Sequence, residues 1–427
     1  MRKSLFRLAL AALTLAAPAA NAFCGFYVAR ADGELYNQGS MVVYTRSGNN
    51  SVITMSSDYT GDPSEFAVIV PTPKVLNRDQ VSTVPADTVA HLDRYTAPRL
   101  VEYFDSDPCI PEVVEEVVVA EMAPGSGPTI RERYQGARSL GVTIEREFAV
   151  GSYDIQMLSA KQSDGLAEFL RGEGYQLPEG AEAALKGYTD MGMKFFVAKV
   201  NLTRHAADAT QDLEPLQLHF KSKDFMLPIQ LGKLNGDGPQ DLIVLALAKE
   251  GRVALTNYMT KEVPSNIDVP VFIAQVFPQF YRAMFNRAAG DNAAFLEYAW
   301  DMAWCDPCAD DPLTHDEMKA LGVTWVSKAE AATPDLFVTR LHIRYSKTSF
   351  FEDLKFAVTD NRDNFQGRYV MNHPFEGEIT CEEGKQYVAD TRKRIQDEAE
   401  ALRDLTGWKA ANIASNIAKT VAKRYRP

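Results

Sequence analysis

The residues with the most reactive chemistry are five cysteines, Cys24, Cys109, Cys305, Cys308 and Cys381. An odd count leaves at least one without an intramolecular partner. Cys305 and Cys308 stand in Trp304-Cys-Asp-Pro-Cys308, a spacing at which two thiols of lowered pKa can exchange disulfides. Asp306, Asp310 and Asp311 crowd the motif, and acids so placed oppose the thiolate that exchange requires. The segment before it reads as helix, whereas a thioredoxin-type site follows a strand and opens a helix. A structural disulfide is therefore expected there, with thiol-disulfide exchange as the alternative. A metal would have to use Cys305, Cys308 and His315, with Cys381 folding back as a fourth ligand. No metal and no cofactor is expected. The favoured pairing joins Cys305 to Cys308 and Cys24 to Cys109 and leaves Cys381 free.

Three further groups carry charge in a suggestive pattern. Arg340, His342 and Arg344 fall at spacing two and so share one strand face, a candidate anion-binding row whose competing reading is pairing with carboxylates such as Glu352 and Asp353. Asn235-Gly-Asp-Gly-Pro-Gln-Asp241 is similar to a calcium loop, but Lys233 stands where the first acid is needed, so a plain turn is expected. The tail from Leu405 carries Lys409, Lys419, Lys423 and Arg424 beside Trp408, Ile413, Ile417 and Val421 at helical spacing. Such a basic amphipathic helix can lie on anionic lipid or pack on the protein's own body. Serine-hydrolase elbows, zincin helices, Walker loops and dinucleotide fingerprints are missing from the sequence, and its six histidines are scattered.

Of 427 residues, 46% are hydrophobic and 24% charged, which excludes a disordered or collagenous chain and allows two or three domains. Residues 1–22 have three basic residues (Arg2, Lys3, Arg7), an apolar run from Leu8 to Ala17 and the small-x-small end Ala20-Asn21-Ala22. That is the pattern of a signal peptide cleaved after Ala22, too short in its apolar part to span a bilayer. Phe23 before Cys24 is too bulky for a lipoprotein signal. Cleavage leaves 42 Lys+Arg against 57 Asp+Glu and takes the formal charge from −12 to −15, which opposes nucleic-acid binding. The mature product is expected in the periplasm or secreted.

These residues must be held by alternating elements. Ser40–Arg46 and Ser51–Ser57 flank Ser47-Gly-Asn-Asn50 as a hairpin. Phe66–Val70, Val142–Val150, Tyr153–Leu158, Met193–Leu202, Leu216–Phe220, Leu242–Ala248, Arg252–Tyr258 and Leu336–Tyr345 read as strands. A helix follows the Ser163-Asp164 cap signal and another starts at Pro178. Ala293–Trp304 also reads as helix, as does everything from Gly384 onward. Ala123-Pro-Gly-Ser-Gly-Pro128 is the best linker.

Several segments together resemble the bacterial family catalogued as domain of unknown function 2330: Cys24-Gly-Phe-Tyr27, Asp62–Pro73, Tyr153–Ala160, Gly172-Glu-Gly-Tyr175, Trp304–Cys308 and Leu341-His-Ile-Arg-Tyr345. The resemblance covers roughly residues 23–375. It implies an exported protein and brings no catalytic residues. This chain departs from the family in lacking a second cysteine shortly after the first, so Cys24 must pair elsewhere or stay free.

The combined expectation is an α+β protein with a β-rich N-terminal half, a mixed segment from about 142 to 260, helices around 265–320, a late strand pair and a helical C-terminus. It comprises a body over 23–375, with a soft boundary near 123–128, and a helical extension over 376–427. The leading function is an exported, non-catalytic structural or binding protein of the cell envelope, with an envelope partner or a small ligand and no nucleic acid. The alternatives are a thiol-disulfide oxidoreductase and a factor in peripheral contact with the membrane through its tail.

Overall fold

The structure, a computed structural model, describes residues 26–29, 36–60, 66–110, 141–175, 177–205, 213–235, 238–306 and 309–426. The leader, Cys24, Cys308, the 123–128 linker and the 236–237 turn lie outside the described residues.

The architecture is α+β, built on two sheets packed face to face. The Tyr36–Ser47 and Asn50–Thr60 strands form the expected hairpin, with Gly48 at φ +54°, a left-handed value a tight hairpin turn requires and glycine adopts without strain. This hairpin lies inside a large sheet. On one side Asn50–Thr60 pairs with Leu216–Lys221, and that strand with Val81–Thr83. On the other, Tyr36–Ser47 pairs in parallel with Gln240–Ala248, which pairs with Phe337–Tyr345, which pairs with Ala293–Asp301. A second, five-stranded sheet runs Phe26–Ala29, Phe66–Thr72, Lys194–Val200, Tyr153–Ala160, Val142–Val150.

The alternation of strand residues sorts side chains into layers. Val42, Tyr44, Val244 and Ile343 of the large sheet meet Val68, Ile155, Met157 and Phe196 of the smaller one in the central core. The opposite face of the smaller sheet, with Ile69, Leu158 and Phe195, is covered by the Ser163–Gly172 and Ala181–Asp190 helices. The opposite face of the large sheet, with Val43, Leu245 and Val338, is covered by the Ala86–Thr96 helix and by Leu313, Met318 and Leu321. Gly322 belongs to this cover: at φ +88° it approaches so closely that a Cβ would sit 2.8 Å from Val52. A further core gathers Phe280, Met284 and Phe285 of the Phe277–Ala289 helix, Ile395 and Leu402 of the Glu383–Thr406 helix, and Ile413 and Ile417 of the Ala410–Thr420 helix.

Ala293–Asp301 is a strand and not the expected helix. It is buried on both faces between two neighbours, so its sequence lost the polar stripe that distinguishes the two periodicities, and its Ala, Leu and Glu content then pointed to the wrong one. The Ala181–Asp190 helix starts after Gly180 rather than at Pro178. The late strands do not pair with each other: Leu354–Val358 joins Val253–Leu255 and Met226–Leu227, while Arg368–His373 runs parallel to Arg99–Phe104.

Candidate functional site

The cationic row is real, but it is neutralised from within. The pairing of Ala293–Asp301 with Phe337–Tyr345 slips by one residue between Leu296 and Tyr298, so Glu297 is the extra residue of a bulge. Leu296 and Ala299 stay in the central core while Tyr298 joins the opposite one, and the bulge lets Glu297 reach the arginine row. Glu297, 1% exposed, accepts from Arg340 Nε at 2.7 Å and bonds His342 Nδ1 at 2.6 Å, and the Tyr281 hydroxyl donates to it as well. Arg340 Nη1 also donates to Asp93 at 2.6 Å, and Arg344 donates twice to Asp241, at 2.7 and 2.5 Å. His342 stacks on Phe285 with ring centroids 3.7 Å apart.

Burial pushes the Glu297 carboxyl up, but His342 and Arg340 override it and hold it down to about 2. Burial pushes His342 down, and Glu297 and Asp241 raise it above its ordinary value. The candidate anion-binding face gives way to the competing reading: Arg340, His342 and Arg344 are paired with carboxylates of their own chain. Those carboxylates are Glu297, Asp93 and Asp241, whereas Glu352 pairs with Lys355 and Asp353 lies elsewhere.

Asp353 belongs to a pocket of about 440 Å³ between the Ala181–Asp190 helix, the 230–234 segment and the loop after the Phe337–Tyr345 strand. Its Oδ1 accepts from the Tyr188 hydroxyl at 2.6 Å and from the backbone N–H of Ile229 at 2.8 Å and Gln230 at 3.3 Å. Lys233, only 5% exposed, donates from Nζ to the Phe350 carbonyl at 2.9 Å and to Gln230 Oε1 at 3.3 Å. The ring of Phe351, 79% exposed, has its centroid 5.4 Å from Nζ. Phe350 sits at φ +52°, a costly conformation for a bulky residue, and such strain clusters at functional sites. Burial raises the Asp353 carboxyl despite its donors and lowers the Lys233 ammonium. An apolar wall with convergent polar groups of displaced pKa is what a small-molecule site requires. Sequence reading noted Lys233 only as a residue unsuited to a calcium loop and Asp353 only as a partner for the arginine row; that they share a pocket was not legible, because its lining residues lie far apart along the chain. The available signal was Lys233 itself, a cation inside the otherwise uncharged run from Ile229 to Leu234.

A second recess, of about 490 Å³, lies between Asn266–Asp268 and the Glu383–Thr406 helix. Glu398, 3% exposed, is pushed by burial up to about 8, with Arg394 Nε 3.6 Å away. Among the described residues no three or more His, Cys, Asp or Glu side chains converge as a metal site needs.

The cysteine pairing is also corrected. Cys109 bonds to Cys381, with Cα atoms 5.7 Å apart, so Cys381 is not free and Cys109 does not pair with Cys24. The reason is topological. Arg99–Phe104 and Arg368–His373 run side by side in the same direction, ending with Phe104 opposite His373, and each then leads to one of the two cysteines. Cys305 is an exposed free thiol beside Trp304, itself 68% exposed.

The tail's apolar stripe is buried within the protein: Ile413, Ile417 and Val421 lie in the helical core and Trp408 packs against it. Lys409, Lys419 and Lys423 are exposed, and Arg424 donates to the Phe375 carbonyl at 2.7 Å. Among the described residues no helix is long and apolar enough to cross a membrane.

The fold and pocket define a layered α+β protein with a recess sized for a small molecule. Residues 18–357 match the family described as "uncharacterized protein conserved in bacteria (DUF2330)", and the chain belongs to that family. No curated protein and no solved structure matches it.

Proposed function

We propose that the protein is an exported, non-catalytic binding protein of the bacterial cell envelope that takes a small ligand in the pocket beside Lys233. The observation that carries this reading is the pocket. About 440 Å³ lies within the range of roughly 300–1,000 Å³ typical of small-molecule sites, and it joins an exposed aromatic ring to a buried cation and a buried carboxyl. The leader-like residues 1–22 support export. A thermal-shift screen of small metabolites on the mature chain, repeated on Phe351→Ala, tests the site. Ligands that stabilise the wild type and not the variant are expected, and equal shifts in both would place binding elsewhere. Fractionation of cells expressing the full chain tests export, which retention of residues 1–22 in a cytosolic product would overturn.

The exposed Cys305 thiol favours a second reading, disulfide exchange with Cys308. Mass spectrometry under non-reducing conditions during a redox titration decides it. A Cys305–Cys308 bond with a potential of roughly −120 to −200 mV would support exchange, and one resisting reduction below about −300 mV would remove it. Burial of Ile413, Ile417 and Val421 takes away the apolar face that a membrane-surface role would need.

A further inference from the structure

We propose that Lys233 is a carbonyl-capturing amine, forming a reversible imine with a small aldehyde or ketone that enters the pocket; this rests on the pocket being a ligand site. Three geometric features support it. Nζ is withdrawn from bulk water yet lines a cavity open to small molecules. Its two hydrogen-bond acceptors, the Phe350 carbonyl and Gln230 Oε1, are fixed by the fold. They engage two N–H groups, so once the third proton leaves, the unengaged position on nitrogen is the lone pair. The acceptors are themselves held: the Phe350 carbonyl also accepts from Gln230 Nε2 at 3.0 Å, and Phe350 keeps its left-handed backbone there.

Desolvation eases loss of that third proton, as it does for buried lysines that act as nucleophiles. The cavity also holds an acid. Asp353, with its carboxyl raised by burial and its Oδ1 occupied by Tyr188, Ile229 and Gln230, keeps Oδ2 for proton transfer. The step balances without an oxidant. The Nζ lone pair attacks the carbonyl carbon, the C=O π pair moves to oxygen, and a proton from nitrogen reaches that oxygen through Asp353. The carbinolamine then loses hydroxide, protonated to water, as nitrogen gives up its second proton. The products are an imine and one water. Phe351 supplies the apolar surface for the body of the carbonyl compound.

The mature full-length protein is incubated with 4-carboxybenzaldehyde and sodium cyanoborohydride at limiting probe, and lysine labelling is mapped by mass spectrometry. Labelling of Lys233 at least tenfold above the exposed Lys409, Lys419 and Lys423 is expected, as is a severalfold slowing in Asp353→Asn. Labelling of Lys233 no faster than those surface lysines overturns the proposal, and this within-chain comparison needs no variant to fold. If 4-methylbenzoate, which has no carbonyl carbon open to attack, shifts the melting temperature while Lys233 stays unlabelled, imine capture fails and the binding reading stands. If neither probe engages the pocket, both fall.

Discussion

Glu297 and Arg340 face each other across a bulge, with Oε2 2.7 Å from Nε and both side chains all but excluded from solvent. A charge pair so placed gains from mutual attraction about what desolvation costs, so its main effect appears when one member is lost. Glu297→Ala leaves Arg340 and His342 without their shared carboxylate and is expected to destabilise by about 3–5 kcal/mol. Urea denaturation measures this, and a loss under about 1 kcal/mol would show that water or Asp93 compensates.

The same network fixes a pH dependence. Glu297, held at about 2 against an ordinary 4.5, contributes stability that is complete above pH 4.5 and lost as pH falls through 2. His342, raised above 6.5, contributes stability that is complete below 6.5 and lost as pH rises through its folded value. The network's contribution is therefore greatest between about pH 4.5 and 6.5. Denaturation midpoints across pH should fall on both sides of that window, and His342→Phe should flatten the alkaline side.

Glu398 acts in the opposite sense. Its folded value, about 8 against 4.5, means that the folded state holds the proton longer, so this group erodes stability as pH rises from 4.5 to 8. Glu398→Gln is expected to stabilise by at least about 1 kcal/mol at pH 8 and by nothing at pH 4, since one unit of displacement is worth about 1.4 kcal/mol. A uniform shift at both pH values would assign the effect to packing.

The Cys109–Cys381 bond closes a loop with a sequence separation of 272 residues. Replacing both cysteines by serine is expected to cost about 2–5 kcal/mol, because the unfolded chain regains the freedom the bond denies it. Thermal melts with and without reductant check it. Equal wild-type melts, with the bond intact in one and reduced in the other, would sink the prediction.

Ile417 of the Ala410–Thr420 helix points into the helical core. Ile417→Ala should cost about 2–5 kcal/mol by opening a cavity. Deleting residues 405–427 should lower stability without changing binding to anionic vesicles, as flotation would show. Vesicle binding lost on deletion would restore the lipid role.

Local pattern was legible where one side of an element meets water or a turn. The hairpin around Gly48, the Tyr153–Ala160 strand and the long C-terminal helix all announced themselves in this way. It failed where burial is complete, as at Ala293–Asp301, because an element with no polar side has no period to read. The arginine row was visible as a face, but its partners were not. Glu297 is one acid among 57, and only the bulge selects it. The pocket escaped for a related reason: Tyr188, Lys233 and Asp353 meet through packing of elements with no sequence relation to one another.

The parallel pairing of Tyr36–Ser47 with Gln240–Ala248 sets the order of events in folding. The first hairpin can close on its own, but one edge of it waits for a strand some two hundred residues later, and that strand waits in turn for Phe337–Tyr345. Loop closure over such distances is slow, since its entropy is spent before the contacts reward it. The large sheet of a chain so wired is completed only once most of it has emerged. That delay is a hazard in a crowded compartment, where an open strand edge invites aggregation, and an advantage to a polypeptide that must first thread a narrow pore.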